Sequence, residues 1–259
     1  MTASMPDWLL WSYAALVGAC VGSFLNVCVY RLPEGLSVVR PRSRCPSCET
    51  PIAWYDNLPI VSYFLLRGRC RSCGARYSVQ YAIVELVTAL LWLAAVVRYG
   101  VTGQALAVAI FFTLLLGIAL TDLRTYIIPD EFTVGGTILG LLLSAAPGGL
   151  TIQQSVLGAV VGFAFLYLAA VLGEWALKKP AMGGGDIKMM AMVGAFLGPM
   201  GTILTIFLGA LAGTIVFLPI SMRTKKLVPF GIFLSLGAAI TEGWGDIILT
   251  WYRTNFLAG

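Results

Sequence analysis

Apolar segments long enough to cross a lipid bilayer follow one another along almost the whole chain, and this feature restricts the fold most strongly. A helix of roughly 20 apolar residues spans a 30 Å hydrocarbon core. Only 11% of the 259 residues are charged and the mean hydropathy is +0.88, whereas soluble domains carry about 25% charged residues. The sequence therefore excludes a soluble enzyme, a disordered protein and a disulfide-stabilised secreted domain. It predicts an all-α polytopic membrane protein.

Eight apolar segments are candidate transmembrane helices. The fourth and the sixth are short, so they could be tilted or re-entrant, and six or seven spans also remain possible. The segments are 8–30, 81–98, 104–121, 132–147, 153–177, 187–198, 201–222 and 228–250.

The distribution of basic residues predicts which connections face the cytoplasm. Of the 17 Lys and Arg residues, all but Arg98 and Arg253 lie in or at the edges of alternate connections between the predicted spans. Connections rich in Lys and Arg stay on the cytoplasmic side of a membrane. We therefore expect the basic loops in the cytoplasm and both termini on the opposite side. The same asymmetry in every loop favours the count of eight spans.

The long polar stretch 31–80 follows the first apolar segment and carries two Cys-x-x-Cys pairs. Four thiolates from two such turns form a tetrahedral Zn²⁺ site. Two disulfides are the alternative, but the basic flanks place this insert in the reducing cytoplasm, where disulfides are rare. Because a closed four-cysteine site leaves no position for water, the zinc would hold the insert together. The predicted ligands are Cys45, Cys48, Cys70 and Cys73.

Two acidic residues at predicted helix ends are candidates for catalysis. Asp122 ends the third apolar segment, and Asp186 follows the glycines 183–185 at the start of the sixth. Two adjacent carboxylates can share one proton and act as general base and general acid, as in aspartic proteases. This chemistry needs no histidine, and the chain has none. Spacing alone leaves two alternatives open: Asp186 as a helix cap and Asp122 as the partner of Arg124.

Several short motifs share one family resemblance. With the two cysteine pairs they resemble the bacterial type IV prepilin peptidases, which are bifunctional leader peptidases and N-methyltransferases of pilus and type II secretion systems. The resemblance runs from Gly22 to about Gly237. Its other motifs are Gly22-Ser23-Phe24-Leu25-Asn26-Val27, Tyr30-Arg31-Leu32-Pro33, Trp54-Tyr55-Asp56-Asn57-Leu58-Pro59, Tyr81 with Val84-Glu85-Leu86, Asp122 with Ile128-Pro129-Asp130, Gly183-x-Gly185-Asp186-x-Lys188 and Pro229-Phe230-Gly231.

The resemblance implies a division of labour along the chain. Residues 1–98, with the first two helices and the zinc insert, would be associated with methyl transfer, and residues 99–259 would form a GxGD aspartic peptidase domain. Asp122 and Asp186 would be the catalytic aspartates, and Gly183, Gly184 and Gly185 would line the substrate groove. The substrate would be a type IV prepilin or a type II secretion pseudopilin with a short basic leader. It would be cleaved after a glycine at the cytoplasmic face of the bacterial inner membrane.

Methylation of the new N-terminal residue with S-adenosylmethionine is implied by the resemblance alone, because no glycine-rich motif of the soluble methyltransferases follows a strand here. The polar candidates for the cofactor are Asn26, Asp56, Asn57 and Glu85. A peptidase without methyl transfer is the alternative. A transporter or interaction protein that uses the acids as ion sites is disfavoured, since both key acids lie at the membrane face rather than the midplane. No nucleic-acid partner is expected.

Overall fold

The computed structural model describes residues 6–147, 149–179, 182–224 and 229–257, and this part of the chain is helical. The only β-structure within these ranges is two isolated bridges, Arg44 with Pro51 and Arg69 with Arg76. The chain divides into two compact units, Met1–Ala109 and Ile110–Gly259. The prediction of an all-α fold with a polar insert after the first helix is confirmed.

The helices follow the predicted apolar segments closely. The short helices of the insert could not be predicted from hydropathy because they are only one turn long. The bounds are α1 (Asp7–Arg31), α2 (Val61–Leu65), α3 (Gln80–Tyr99), α4 (Gly103–Thr125), α5 (Asp130–Leu143), α6 (Ile152–Leu177), α7 (Gly184–Thr224) and α8 (Phe230–Tyr252), with 3₁₀ turns at Leu32–Glu34 and Trp54–Asn57 and a final π-helical turn at Arg253–Leu257.

The long helix α7 reverses its direction at Gly198, where φ 69° and ψ −179° are not helical. A Cβ atom placed on Gly162 of α6 would contact both the Met190 carbonyl and the Thr202 methyl group. In a straight helix those two residues would lie about 18 Å apart along the axis. The chain therefore folds back at Gly198, and α7 consists of two antiparallel halves. These halves correspond to the sixth and seventh predicted segments.

Within the described ranges, six helices are long and apolar enough to cross a membrane: α1, α3, α4, α6, α7 and α8. The predicted count of eight spans is not confirmed by this criterion. Helix α5 has only 14 residues, which is about 21 Å of helix, and α7 counts as one element across its reversal. A multi-pass membrane protein is supported, and the eight-span count stays a prediction. The predicted sidedness also concerns the two termini. Residues 1–5 and 258–259 lie outside the described residues.

Glycines let the helices of the first unit approach closely. A Cβ on Gly18 of α1 would lie 2.7 Å from the Cβ of Trp92 on α3, and a Cβ on Gly22 would lie 2.8 Å from the Cα of Glu85. Two small residues four positions apart form the seam that brings two backbones together. Gly22 therefore brings the backbone of α1 against Glu85, and Asn26 lies one turn further along α1.

Small residues also fix the start of α7 in the second unit. Gly158 of α6 packs against Gly194 of α7 so closely that a Cβ on either would meet the other's backbone oxygen. The Ser155 hydroxyl donates to the Ala195 carbonyl at 2.6 Å. These contacts hold the first half of α7 rigidly against α6. The residues at the beginning of α7 are therefore carried by a well-packed element.

Candidate active site and metal centre

Asp186 lies in the first turn of α7, as its third residue. The backbone N–H of Gly183 faces its carboxylate, and a Cβ on Gly183 would lie 3.3 Å from Asp186 Oδ2. This geometry is one half of a capping box, in which an acid at the third helical position reaches back to the residue before the helix. Asp186 is therefore not the N-cap residue itself, because it lies inside the first turn of the helix. The carboxylate is held at the helix N-terminus, where the helix dipole favours negative charge.

The three glycines before Asp186 have different surroundings. A Cβ on Gly185 would lie 2.9 Å from the Cβ of Ile128, whereas a Cβ on Gly184 would meet no described atom within 4 Å. Gly185 is therefore required for packing between the start of α7 and Ile128. Gly184 is the position where open space lies beside the backbone. The predicted substrate groove along these glycines stays a prediction.

Asp122 lies in the last turn of α4 and is only 5% exposed. Its carboxyl group lies against the start of α8: a Cβ on Gly231 would be 2.8 Å from Asp122 Oδ2. The backbone N–H groups of Gly231 and Ile232 face this carboxyl group. Oδ2 itself is buried and has no hydrogen-bond partner in the part of the chain that the structure describes. A buried, unsatisfied carboxylate oxygen is costly and is characteristic of a functional site.

The two aspartates converge around Ile128. Gly185 of α7 and Gly231 of α8 both approach this side chain, with hypothetical Cβ atoms 2.9 Å from Ile128 Cβ and Cδ1 respectively. Asp186 lies close enough to Asp122 for their charges to repel each other. Repulsion between two nearby carboxylates favours a pair that shares one proton. The end of α4 and the starts of α7 and α8 thus bring together the two residues that the sequence singled out.

Asp130 has a separate, structural environment. It is the first residue of α5 and follows the N-cap residue Pro129. Its carboxylate accepts two hydrogen bonds from Lys188 Nζ, at 2.7 and 2.8 Å, and its side chain is 61% exposed. The ion pair ties the start of α5 to the start of α7. Asp130 is therefore a matched acidic residue beside the site but outside the pair.

The two cysteine pairs lie on turns of the same design. In the first turn, the Glu49 N–H donates to the Cys45 carbonyl at 2.9 Å, and in the second the Gly74 N–H donates to the Cys70 carbonyl at 2.9 Å. Glu49 and Gly74 both have left-handed backbones, with φ of 55° and 72°. The equivalent residues of each turn point their thiols to a common centre.

The four sulfur atoms have the spacing of a metal site. They all lie within 4.8 Å of one another, with Cys45 Sγ 3.7 Å from Cys73 Sγ and Cys48 Sγ 4.0 Å from Cys70 Sγ. A tetrahedral zinc with Zn–S bonds of about 2.3 Å separates its sulfurs by about 3.8 Å. A disulfide needs about 2.05 Å, and all four cysteines are free. The predicted four-cysteine cluster is confirmed, and its donor set fits zinc.

Hydrogen bonds favour the thiolate form of two of the four cysteines. The backbone N–H of Cys73, followed by the Tyr77 hydroxyl, lowers the pKa of Cys70 to about 6. Backbone N–H groups of Cys48 and Ser47 lower the pKa of Cys45. The Ala75 N–H lowers the pKa of Cys73, but the neighbouring thiols and burial outweigh it and raise that pKa to about 12. Without a cation, the accumulated negative charge disfavours a further thiolate, and a bound metal would remove this cost.

A cavity of about 790 Å³ in the first unit gathers all four residues predicted to contact a cofactor. Two of them lie on helices α1 and α3, and two belong to the insert. The cavity has a mixed lining of polar groups and aromatic rings, as expected for a site that takes a sizeable ligand. The four residues are Asn26, Asp56, Asn57 and Glu85.

Two of these four have partners that also hold the fold. Asp56 forms a bidentate pair with Arg71, whose Nε and Nη2 lie 2.8 and 2.6 Å from its oxygens, and the Arg71 side chain lowers the pKa of Asp56. Because Arg71 lies inside the second cysteine turn, this pair links the cavity wall to the metal centre. Glu85 Oε2 accepts a hydrogen bond from the Ile60 N–H at 2.7 Å. It thereby holds Ile60 in a left-handed conformation with φ 64°.

Sequence reasoning missed three residues of these sites. Ile128 and Gly231 surround the aspartates, and Tyr77 bonds the cysteine cluster. Ile128 and Gly231 belong to two of the family motifs in the sequence, but the motifs did not indicate a function for either residue. For Tyr77 there was no signal, because it lies between two predicted elements and its contact with Cys70 depends on the fold of the insert.

Known proteins match both parts of the chain. Residues 16–99 match the bacterial peptidase A24 N-terminal domain, and residues 109–218 match the type IV leader peptidase family. A prepilin leader peptidase/N-methyltransferase of Aeromonas hydrophila is 34% identical over 282 residues, covering 96% of each chain. The chain belongs to the type IV leader peptidase family.

Other members of the type IV leader peptidase family show a comparable percentage of identical residues. A prepilin leader peptidase/N-methyltransferase of Myxococcus xanthus is 37% identical over 230 residues, which cover 88% of this chain and 69% of that protein. One of Neisseria gonorrhoeae is 34% identical and covers 89% of this chain and 87% of that protein. No solved structure matches the chain significantly. The resemblance predicted from the motifs is confirmed.

Proposed function

We propose that this chain removes the short basic leader of type IV prepilins or type II secretion pseudopilins and methylates the new N-terminal residue. The observation that carries the peptidase activity is the convergence of Asp122 and Asp186 around Ile128. Membership of the leader peptidase family supports the same activity. The alternative is a member that cleaves and does not methylate.

Cleavage uses the two carboxyl groups as a pair. One carboxylate takes a proton from the attacking water, and the other, protonated, gives its proton to the leaving amine. The two roles need opposite protonation states, and repulsion between adjacent carboxylates favours that arrangement. Burial of Asp122 excludes bulk water from one side of the pair, which strengthens electrostatic interactions in the site.

The scissile peptide lies along the glycines at the start of α7. A protease must bind its substrate as an extended backbone, and a stretch without side chains lets another backbone approach. The open space beside Gly184 supports this position. A prepilin reaches the site as a membrane-embedded helix with its basic leader in the cytoplasm, so the peptide unwinds at the membrane face before it is cut after a glycine.

Zn²⁺ is the metal we assign to the cysteine cluster, where it would be structural. Cys45, Cys48, Cys70 and Cys73 would occupy all four positions of a tetrahedral ion, so none remains for water. The ion would join the two turns of the insert and neutralise the thiolates. The Asp56–Arg71 pair then places the cavity wall relative to the metal centre.

Methyl transfer is assigned to the cavity of the first unit. S-adenosylmethionine supplies the methyl group when it is bound there. Asp56 and Asn57, on the insert, supply polar contacts around the ligand, and Asn26 and Glu85 line the same cavity. The names of the relatives, which join a leader peptidase with an N-methyltransferase, support this assignment.

The enzyme works in the inner membrane of a bacterium. The distribution of Lys and Arg supports a cytoplasmic position for the aspartates and the zinc insert, with both termini outside. Its partners are the bilayer and the prepilin or pseudopilin substrates.

One experiment tests both activities. The purified chain is incubated with a prepilin and isotope-labelled S-adenosylmethionine, and mass spectrometry reads the N-terminus of the product. A shortened, labelled product supports both activities, and a shortened, unlabelled product supports the peptidase-only alternative. An intact prepilin contradicts the proposal.

A further inference from the structure

Asn26 has one unsatisfied atom in the cavity wall. The residue is only 3% exposed, and its Oδ1 is buried without a hydrogen-bond partner in the described ranges. Its Nδ2 donates to the Tyr81 carbonyl at 3.1 Å. Because a carbonyl can only accept, the nitrogen must face Tyr81, and Oδ1 must face the other way. Asn26 therefore presents a fixed acceptor that no described group uses.

Glu85 lies about one helical turn from Asn26. Asn26 of α1 donates a hydrogen bond to Tyr81 of α3. One turn earlier on α1, Gly22 lies against the backbone of Glu85, which is one turn later on α3. One turn is about 5.4 Å. The Glu85 carboxylate accepts a hydrogen bond from the Ile60 N–H and another from the Ser23 side chain. A carboxylate has about four acceptor positions, so two remain for a ligand in the cavity that Glu85 lines.

Two acceptors, one of them anionic, whose residues lie about one helical turn apart define the ligand they fit. It must carry a positive charge and more than one N–H donor pointing in different directions. A primary ammonium group has three such donors. We propose that Asn26 and Glu85 together bind the ammonium group of the N-terminal residue of the cleaved pilin, an inference that rests on the proposed methyl transfer.

S-adenosylmethionine also carries a primary ammonium group. The position of Asn26 and Glu85 in the fold decides whether they bind the ammonium group of the pilin or that of the methyl donor. Asn26 lies inside α1, five residues before its end at Arg31, and Glu85 lies inside α3, five residues after its start at Gln80. Asp56 and Asn57, the other two residues predicted to contact the cofactor, belong to the insert. A cleaved pilin carries its amine directly on a membrane-embedded segment, so the amine arrives from the side of the helices. The water-soluble methyl donor enters from the side of the insert.

The site has a chemical consequence for methyl transfer. An ammonium group has no free electron pair and cannot attack a methyl carbon. One N–H bond breaks, its electron pair stays on nitrogen, and the proton moves to the Glu85 carboxylate. Asn26 Oδ1 accepts a remaining N–H and keeps the amine oriented. Glu85 is thereby a catalytic residue of the methyl transfer, and Asn26 binds its substrate.

A binding experiment with two peptides tests the proposal. A peptide with the mature N-terminal sequence of a pilin is prepared with a free amine and with an acetylated N-terminus, and its affinity for the detergent-solubilised full chain is measured. We expect the wild-type chain to bind the free amine at least about tenfold more tightly, the range of a hydrogen bond to a charged group. Asn26→Leu and Glu85→Gln should each bring the ratio close to one. Glu85→Gln should also lower kcat for methylation at saturating peptide.

Controls separate a local effect from misfolding. Cys20→Ala, on the same helix and in the same cavity, should keep the wild-type preference. Zinc content and prepilin cleavage should be unchanged in Glu85→Gln, which preserves the acceptor for Ile60. If both variants keep the wild-type preference for the free amine, the assignment is wrong. If they lose affinity for S-adenosylmethionine instead, the ammonium belongs to the donor, which also overturns the proposal. A wild-type chain that binds the free amine but never methylates it would contradict the proposed methyl transfer alone.

Discussion

Asp122 and Gly231 show how a single missing side chain shapes the candidate active site. Gly231 is the second residue of α8, and the Asp122 carboxyl group lies against the position where its Cβ would be. The contact also lets the first N–H groups of α8 face the carboxyl group. Gly231 thus acts through Asp122 as a positioning residue.

Gly231→Ala should lower prepilin cleavage without unfolding the protein. The added Cβ would lie 2.8 Å from Asp122 Oδ2, so the carboxylate must move, and a misplacement of about 1 Å can cost 100-fold in rate. Alanine favours helix over glycine by about 1 kcal/mol, so stability should not fall. Gly243→Ala in the same helix is the control, because its Cβ would meet no described atom within 4 Å. The measurement is the rate of prepilin cleavage by each variant. Equal rates for Gly231→Ala and Gly243→Ala would contradict the proposal that Gly231 positions Asp122.

Asp122→Asn and Asp186→Asn should each abolish cleavage, by several orders of magnitude, while the protein remains folded. Proton exchange needs both partners, so the loss of either removes the mechanism. Asp130→Asn is the matched control. It breaks an exposed pair with Lys188, which is worth about 1 kcal/mol or less. A gel-shift assay of prepilin processing measures all three, and near-normal cleavage by an Asn variant would remove that residue from the pair.

Gly184→Val should block entry of the substrate backbone. Gly185 is a poor probe, since its Cβ would press on Ile128, but a side chain at Gly184 fills only open space. We expect at least a tenfold fall in cleavage, a smaller fall for Gly184→Ala, and retained methylation of a pilin that is already cleaved. Wild-type cleavage by Gly184→Val would show that the substrate does not pass beside this residue.

The elements differ in how far their sequences predict them. Helix α6 was predicted over 153–177 and spans Ile152–Leu177, because Thr151 and Gln154 form a local capping box. The break between the sixth and seventh segments coincides with the left-handed Gly198. Both features are local, so a single sequence reveals them.

Contacts between distant elements were not predictable in the same way. The left-handed Ile60, held by Glu85 from 25 positions away, carries no turn signal of its own. The approach of Gly231 to Asp122 joins residues more than 100 positions apart, and only the folded packing brings them together. Hydropathy predicts where the helices lie in the sequence, but it does not predict which helix faces pack against each other.

The cysteine turns should behave as one element that depends on zinc. Replacing Cys45 or Cys70 by serine should remove the metal and destabilise residues 31–80, because the binding energy of a structural zinc is also folding energy. Methylation should fall more than cleavage, since the cavity adjoins the insert. Elemental analysis and limited proteolysis measure both effects, with Cys20→Ser as control. Protein purified without chelators that holds no zinc would contradict the site.

For the whole molecule, the two family matches and the two compact units follow the same order along the chain. The first unit holds the cysteine cluster and the cavity, and the second holds both aspartates. Leader removal and methylation act on neighbouring atoms of one substrate, since the new N-terminus is created by the cut. The amine that the cut exposes is therefore the group that methylation needs.

The number of spans is the prediction that concerns the whole molecule. If α5 and both halves of α7 cross the membrane, Gly149 and Met200 face the outside and Tyr126 faces the cytoplasm. Each is exposed, so each can be replaced by cysteine in full-length protein that carries Cys20→Ala. A membrane-impermeant maleimide should label Gly149→Cys and Met200→Cys in intact cells, and Tyr126→Cys only after permeabilisation. Labelling is read as the excess over the Cys20→Ala parent, because Cys48 and Cys73 are exposed too. Helix α5 is about 21 Å long, which a locally thinned bilayer accommodates at modest cost. Labelling of Gly149→Cys only after permeabilisation would mean that α5 does not cross, and that the basic-residue pattern overstates the number of spans.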